Sequence, residues 1–176
     1  MKIYFARHGQ TNYNLKNLCN DDISKDVHLT ELGKKQAQDV GEKLKNEKIE
    51  VIFVSELRRT RQTAEIINKC HNAPIRADSR INDRKTGFEG KSYFDFLKVI
   101  ESDLFNMKIN NGESFQDEKK RVHSFLNDLV KLNYDCVLVV AHEETLKIVN
   151  GHFNKLSDDE MWARSFKNGE ILKVEG

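Results

Sequence analysis

Short apolar runs, separated by longer amphipathic stretches, predict the β-strands of this chain. Residues 3–6, 51–54 and 137–141 are continuously apolar, as expected of strands that are buried on both faces. Residues 75–77 form a shorter strand-like segment directly after Pro74, which breaks the preceding pattern. The pattern therefore predicts four strands that are spread along the chain.

The stretches between these runs carry apolar residues at helical spacing. Thr30, Ser55 and Ser114 are suited to cap three of the helices, because a side-chain hydroxyl can accept a hydrogen bond from a free N–H group of the first turn. A further helix is predicted after His142, where two acidic residues suit the positive end of the helix dipole. Four earlier helices are predicted: from Thr30 to about residue 46, over residues 57–70, over residues 93–105 and from Ser114 to about residue 132.

The order of these elements predicts the fold class. Because a strand is twice followed by a helix before any hairpin signal, the sequence indicates an α/β fold with helices covering a parallel sheet. Asn168-Gly169 predicts a tight hairpin near the end of the chain. No repeat, low-complexity tract or linker divides residues 1–176, so a single domain is expected.

Composition narrows the possible functions. The chain has 29 Lys and Arg against 28 Asp and Glu residues, a net charge of +1, which argues against nucleic acid or an anionic membrane as a partner. No apolar run reaches the ~20 residues of a membrane helix, and no signal peptide pattern is present. The three cysteines have no paired spacing and the histidines form no HxxxH pair, so we expect reduced thiols, no metal site and a cytoplasmic protein.

Chemically reactive residues follow the predicted strands. Arg7 and His8 end the first strand, and His142 follows the 137–141 strand. Because parallel strands present their carboxyl ends at one edge of a sheet, where ligands bind, we expect these side chains to meet there. Gly9 is suited to a sharp bend and to close approach of a ligand. Imidazoles and guanidinium groups together suit a phosphate ester, since arginine binds its oxygens and an imidazole can attack phosphorus.

The helix after the second strand offers three further arginines. At about 100° per residue, Arg58 and Arg61 point well away from Arg59, so the three cannot all serve one ligand. Asp83, in the Gly-containing loop over residues 80–92, adds a carboxylate that could act as an acid or form a turn.

Five sequence blocks in this order resemble the histidine phosphatase superfamily, the branch that includes cofactor-dependent phosphoglycerate mutases and small broad-range phosphatases. The blocks are Arg7-His8-Gly9-Gln10-Thr11 with Asn14, Leu29-Thr30-Glu31-Leu32-Gly33, Ser55-Glu56-Leu57-Arg58-Arg59-Thr60-Arg61-Gln62-Thr63-Ala64, Ile81-Asn82-Asp83-Arg84 and Gly112-Glu113-Ser114. The resemblance covers nearly the whole chain. It implies a three-layer α/β/α sandwich like that of phosphoglycerate mutase, with a short lid at about residues 84–115.

The resemblance also implies roles for individual residues. His8 would be the nucleophile that forms a phosphohistidine, with its other ring nitrogen donating to a backbone carbonyl. Asp83 would be the general acid and base, with Glu89 in the same loop as the competing candidate. Other residues would bind the phosphoryl group and the rest of a small phosphorylated substrate, without a cofactor or metal: Arg7, Arg59, His142, Asn14, Gln10, Thr11 and Glu143. Phosphate, sulfate or vanadate would be expected to occupy the same site.

One departure from the family pattern keeps alternatives open. The residue after the second family histidine is usually Gly, but here it is Glu143, whose carboxylate would repel a phosphate unless it turned to solvent or paired with a cation. A phosphomonoesterase is the leading hypothesis, because a short lid favours hydrolysis over the enclosed intermediate of a mutase. A phosphoglycerate mutase and a phosphate-ligand or phosphoprotein-binding module without turnover are the alternatives.

Overall fold

The computed structural model describes residues 1–176, and a five-stranded sheet forms its centre. The strands lie in the order β3-β2-β4-β1-β5. β1 to β4 run parallel to their neighbours, whereas β5 lies antiparallel on the outer side of β1. Their bounds are Lys2–Arg7 for β1, Val51–Val54 for β2, Ile75–Ala77 for β3, Cys136–Ala141 for β4 and Ile171–Glu175 for β5. The predicted α/β class and mostly parallel sheet are confirmed.

Helices cover both faces of this sheet. α1 and α2 pack on one face, and α4, α5 and α6 pack on the other. The helices are Glu31–Leu44 (α1), Arg58–Ile67 (α2), Tyr93–Ile100 (α3), Phe115–Leu129 (α4), Glu143–Asn154 (α5) and Asp158–Ala163 (α6). The molecule is therefore the expected three-layer α/β/α sandwich.

Alternate residues of each central strand enter different halves of the core. In β1, Ile3 and Phe5 join the cluster under α4 and α5, whereas Tyr4 and Ala6 join the cluster under α1 and α2. Both faces are dry, so the strand sequences are continuously apolar and do not alternate with polar residues. This double burial fixes the register of β1, because a shift by one residue would exchange the two faces.

The segment over residues 84–115 has a small hydrophobic cluster of its own. Cys19, Phe96 and Ile100 are its buried members, and aromatic and aliphatic side chains of the same segment pack around them. Backbone hydrogen bonds join the segment to the distant loop over residues 17–20, since Cys19 N donates to Lys91 O at 2.9 Å and Tyr93 N donates to Asn17 O at 2.8 Å. The loop over residues 17–20 and α3 therefore form one packed unit beside the main sheet.

The predicted C-terminal hairpin is wrong. Asn168 and Gly169 do form a turn, in which Gly169 has a positive φ of 73°. The residues before the turn form no strand, and β5 pairs with β1 instead. Gly169 N donates to Arg7 O at 3.1 Å and Arg7 N donates to Glu170 O at 3.0 Å, so the turn is bound to the end of β1. A turn signal in the sequence does not identify the strand that pairs after it.

Two details of the predicted helices are also corrected. Thr30 and Ser114 cap α1 and α4 as predicted, but Leu57 precedes α2 and gives no side-chain cap. Ser55 Oγ instead accepts from the Leu57 N–H group at 3.2 Å, ahead of the helix. α3 ends at Ile100, earlier than predicted, and the Asp103 carboxylate closes a separate turn by accepting from Asn106 N at 3.0 Å.

The loop after β1 lies directly on the first turn of α1. A Cβ atom at Gly9 would lie 2.2 Å from Gly33 O, and one at Gly33 would lie 2.1 Å from Gln10 O. The cap residue Thr30 strengthens the contact, because its N–H group donates to Gln10 O at 2.9 Å. The absence of a side chain at Gly9 is thus required for the contact with α1, in addition to any close approach of a ligand.

We expect Gly33→Ala to destabilise the protein by about 1–3 kcal/mol, because neither backbone can move away from the added methyl group. Gly41→Ala, on the same helix, is the matched control, since its Cβ would lie at an ordinary 3.4 Å from Ile67 Cα. That change should stabilise the protein by ~0.5–1 kcal/mol through helix propensity. Urea unfolding measures both, and equal effects would contradict the proposed close contact.

Candidate active site

His8 is buried at the end of β1, with a defined hydrogen-bonding state. Its Nδ1 atom lies 2.7 Å from Gly9 O, which can only accept, so Nδ1 carries the proton. Nε2 therefore has a free electron pair, and it accepts from Arg59 Nε at 3.1 Å. The backbone contact predicted for the second ring nitrogen is confirmed.

Arg59 is the buried arginine of the three at the start of α2. Its side chain is 4% exposed and reaches from His8 to Asp83, where Nη2 lies 2.7 Å from Oδ2. Asn20 accepts from Nη1 through its side-chain oxygen, and its backbone carbonyl accepts from Nη2 at 3.2 Å. Arg58 and Arg61 are exposed and pair with other surface carboxylates, as helical geometry indicated.

His142 follows β4 and lies beside His8. The ring centroids are 5.3 Å apart and the rings meet edge to face. Nε2 is 2.9 Å from Ser55 Oγ, whereas the buried Nδ1 has no hydrogen-bond partner and lies 3.6 Å from Asp83 Oδ2. The two imidazoles that the sequence places far apart are brought to one site, with Asp83 against both His142 and Arg59.

Glu143 forms an ion pair instead of facing a phosphate alone. Its carboxylate lies 2.7 Å from Arg7 Nη1 and 3.8 Å from Lys147 Nζ. Arg7 also donates to Phe166 O. Pairing with a cation was one of the two conditions under which a carboxylate at this position would not repel an anionic ligand, and the structure meets it.

The two candidate acids have different surroundings. Glu89 accepts from the backbone N–H groups of Asp21 at 2.7 Å and Asp22 at 3.0 Å, so it binds a loop. Asp83 is 30% exposed on its side chain and lines the same cavity as His8. The geometry favours Asp83 over Glu89 as the proton donor.

The polar residues after His8 divide into two groups. Thr11 and Asn14 line the cavity and bond to each other, with Thr11 N donating to Asn14 Oδ1 at 3.0 Å. Gln10 is directed elsewhere, since its Oε1 accepts from Thr30 Oγ1 at 3.0 Å and it does not line the cavity. The structure thus places Gln10 at the start of α1, away from the predicted substrate contact.

The cavity has a volume of about 350 Å³ and extends from His8 towards α3. Asp83 lies at the inner end and His142 lies behind it, outside the cavity lining. The outer part is lined by residues from the lid segment, the loop before it and α5: Tyr13, Asn17, Leu18, Arg84, Thr86, Tyr93, Phe94, Glu144 and Lys147. The cavity can therefore hold a phosphoryl group at one end and an organic group at the other.

Some residues of the site had no clear sequence signal. Asn20 grips Arg59, Ser55 contacts His142, and Asn168 Nδ2 donates to His8 O at 3.0 Å. Asn168 lies in the predicted turn near the end of the chain, and Asn20 lies in a loop without regular structure. A turn signal shows that the backbone bends, but the distant group that the side chain will reach is set by the fold.

Both imidazoles are neutral at ordinary pH. Burial, reinforced by the nearby positive charge of Arg59, holds the pKa of His8 well below its usual value. The same two causes hold the pKa of His142 well below its usual value. A neutral His8 with its electron pair on Nε2 has the state that a nitrogen nucleophile needs.

No group of three or more His, Cys, Asp or Glu side chains is arranged to hold a metal ion. No helix combines the length and apolarity needed to cross a bilayer.

Known proteins resemble this chain in sequence and in fold. Residues 3–176 match the family described as the histidine phosphatase superfamily (branch 1). A Hydrogenobacter thermophilus protein provisionally named phosphoserine phosphatase 2 is 28% identical, covering 98% of this chain and 88% of the relative. The 2,3-bisphosphoglycerate-dependent phosphoglycerate mutase of Nitrobacter winogradskyi is 31% identical, covering 95% of this chain and 87% of the relative.

A solved structure shows the same fold. The mycobacterial glucosyl-3-phosphoglycerate phosphatase, in its complex with vanadate, superposes with a TM-score of 0.85 at 22% identity. The match covers 99% of this chain and 91% of that one.

The lowered pKa values of the two histidines predict a loss of stability in acid. Above the unfolded-state pKa of ~6.5, both histidines are neutral in the folded and the unfolded chain, so their burial does not lower the free energy of unfolding. As the pH falls below that value, the two histidines become protonated in the unfolded chain but stay neutral in the folded protein. Each ring should then cost about 1.4 kcal/mol of unfolding free energy per pH unit until its folded pKa is reached.

Urea unfolding between pH 7.5 and pH 5 tests this for His8. The His8→Asn variant should lose less stability than the wild type over the acid range, by roughly 1.4 kcal/mol per pH unit. Parallel pH curves for the two proteins would show that His8 is not buried in its neutral form.

Proposed function

The chain belongs to branch 1 of the histidine phosphatase superfamily, and we propose that it is a phosphomonoesterase acting through a phosphohistidine on His8. The main support is the state of the His8 ring: Nδ1–H is bound to Gly9 O at 2.7 Å, so the electron pair lies on Nε2. That pair becomes available for attack once Arg59 Nε, which donates to it at 3.1 Å, turns to the phosphoryl group. The adjoining cavity also has room for an ester beyond the phosphoryl group.

In the proposed first step, Nε2 of His8 attacks phosphorus and the bond to the ester oxygen breaks. Asp83, in its protonated form, gives its proton to the leaving alkoxide and releases an alcohol. The phosphorylated ring carries positive charge, which the Nδ1–H bond to Gly9 O stabilises.

In the second step, water attacks the phosphohistidine and the phosphorus–nitrogen bond breaks. Asp83, now a carboxylate, takes a proton from that water and returns to its acid form. Arg7, Arg59 and His142 hold the phosphoryl oxygens in both steps and stabilise the charge that develops on them. The products are neutral His8 and inorganic phosphate, which takes the proton from Asp83 as the carboxylate returns to Arg59.

Before substrate binds, the Asp83 carboxylate lies against two of the side chains proposed to bind phosphate. It pairs with Arg59 at 2.7 Å and lies 3.6 Å from His142 Nδ1. We propose that an incoming phosphate monoester, bound as the monoanion, replaces Asp83 at these two side chains and passes its proton to the displaced carboxylate. Asp83 then turns to the leaving oxygen as the acid. Asn14 and Thr11, which line the same end of the cavity, orient the phosphoryl group.

We also propose that the reaction needs no metal ion. Arg7 and Arg59 supply the positive charge that a metal would otherwise bring to the phosphoryl oxygens, and His142 adds a neutral hydrogen-bond donor. Activity is accordingly expected to persist in EDTA.

Hydrolysis is favoured over mutase and binding functions by two features. The lid is short and the cavity is open to solvent, so water can reach a phosphohistidine. Glu143 is paired with Arg7, which removes the repulsion that would favour a module without turnover. The mutase remains the second candidate because of the 31% identical mutase relative.

The central test is a panel of phosphate esters assayed with wild type and His8→Ala. We expect wild type to release phosphate in EDTA, with an acid-labile phosphoenzyme trapped by rapid quench, and His8→Ala to do neither. Isomerisation of 3-phosphoglycerate with bisphosphate, faster than hydrolysis, would establish the mutase instead. Vanadate binding without turnover of any ester would establish the binding module.

Asp83→Asn should separate turnover from anion binding. Loss of the proton donor should lower the hydrolysis of alkyl phosphates by roughly 100-fold or more. Loss of its negative charge from beside Arg59 should raise the affinity for vanadate by roughly tenfold. Steady-state rates and vanadate inhibition constants measure the two effects, and weaker vanadate binding would contradict the proposed exchange of Asp83 for the phosphoryl group.

A further inference from the structure

The backbone that carries Asp83 is held by one side chain from α4. Arg121 donates through Nη1 to Arg80 O at 2.9 Å and to Asn82 O at 2.7 Å, and through Nη2 to Asp83 O at 3.2 Å. Its other two N–H groups bind Glu113, with both distances at 2.9 Å. All five N–H donors of this guanidinium therefore have acceptors.

Glu113 binds the backbone on the other side of Asp83. Its carboxylate accepts from Lys85 N at 3.1 Å, and its own N–H group donates to Lys85 O at 2.6 Å. The Arg121–Glu113 pair thus binds the chain before and after Asp83. Both side chains are mostly buried, at 18% and 29% exposure, so water competes weakly for these bonds.

The acid needs such support because it lies outside regular structure. Residues 83–86 belong to no helix or strand, so no backbone ladder fixes their position. Aspartate is short, so the position of its carboxylate follows that of its backbone closely. An error of about 1 Å in a catalytic group can cost roughly 100-fold in rate.

We infer that Arg121, together with Glu113, is a positioning pair that sets the place of Asp83 in proton transfer. The inference rests on the proposed function, in which Asp83 protonates the leaving oxygen. Arg121 does not line the cavity, and its hydrogen bonds reach Asp83 through the backbone carbonyls of residues 80–83.

A purely structural role would predict a different result, and the leaving group separates the two. An aryl phosphate such as p-nitrophenyl phosphate releases a stable phenolate and needs little help from an acid, whereas an alkyl phosphate needs a well-placed proton. The ratio kcat/KM reports the steps through transfer to His8, before the shared hydrolysis of the phosphohistidine. A displaced acid therefore lowers kcat/KM for the alkyl ester selectively.

Arg80 supplies a matched control. Its side chain also joins this region to α4, through Asp128 at 2.7 Å and the backbone of Ser124 at 3.3 Å, but it makes no bond to residues 82–85. Arg80→Gln removes a comparable arginine contact without touching the support of Asp83. Comparable stability losses in Arg80→Gln and Arg121→Gln, measured by urea unfolding, make their kinetics directly comparable.

The experiment compares wild type, Arg121→Gln, Glu113→Gln and Arg80→Gln on the best alkyl phosphate of the panel and on p-nitrophenyl phosphate. For Arg121→Gln we expect kcat/KM to fall by roughly tenfold or more on the alkyl ester and by less than about threefold on the aryl ester. Glu113→Gln, which keeps the side-chain shape, should show the same selectivity at smaller size. Arg80→Gln should show none.

Equal losses on the two esters, or no loss, in both Arg121→Gln and Glu113→Gln would overturn the inference. If Arg121→Gln does not fold, the selectivity of Glu113→Gln decides the question alone. Failure of the proposed function gives a different result, because wild type would then hydrolyse neither ester.

Discussion

The register between β1 and β4 is the constraint on which the site depends. Arg7 pairs with Ala141 across the two strands, so His8 and His142 leave the sheet at the same level. One further bond, from His8 N to Ala141 O at 3.0 Å, extends the pairing into the site. The apolar residues of both strands pack on the two faces of the sheet, and a shift of register by one residue would move each side chain to the opposite face. Hydrophobic burial far from the reaction therefore determines how the two imidazoles meet.

Charge in the cavity is balanced by pairing before any ligand binds. Arg7 contacts Glu143, Arg59 contacts Asp83 and Arg84 contacts Glu144, at distances of 2.7 to 2.9 Å. Unpaired, three guanidinium groups around one cavity would repel one another and oppose folding. The pairing keeps them in place, but in the proposed reaction a phosphoryl group has to compete with the Asp83 carboxylate for Arg59. The ion pairs therefore lower the affinity of the site for an anion, but they hold its arginines in position before the anion binds.

Sequence reasoning succeeded where a local pattern decides the structure. Continuous apolar runs identified the parallel strands, and the bond from His8 to the carbonyl of Gly9 involves neighbouring residues. It failed where a partner is distant, as with Ser55, whose hydroxyl bonds to His142 and does not cap α2. It also missed Arg121, because a polar position on α4 shows no sign of the carbonyl groups it will bind. Such contacts depend on the packing of whole elements, which periodicity does not describe.

The attachment of α3 to the loop over residues 17–20 has a consequence for how such enzymes diversify. Asn20, at the end of that loop, accepts hydrogen bonds from the Arg59 guanidinium. Cys19 and Asn17, in the same loop, form backbone hydrogen bonds with the residues at the start of α3. A substitution that moves α3 can therefore also move Asn20 and, with it, the guanidinium of Arg59. In the proposed phosphatase, we expect a change of preferred ester to alter the binding of the phosphoryl group as well.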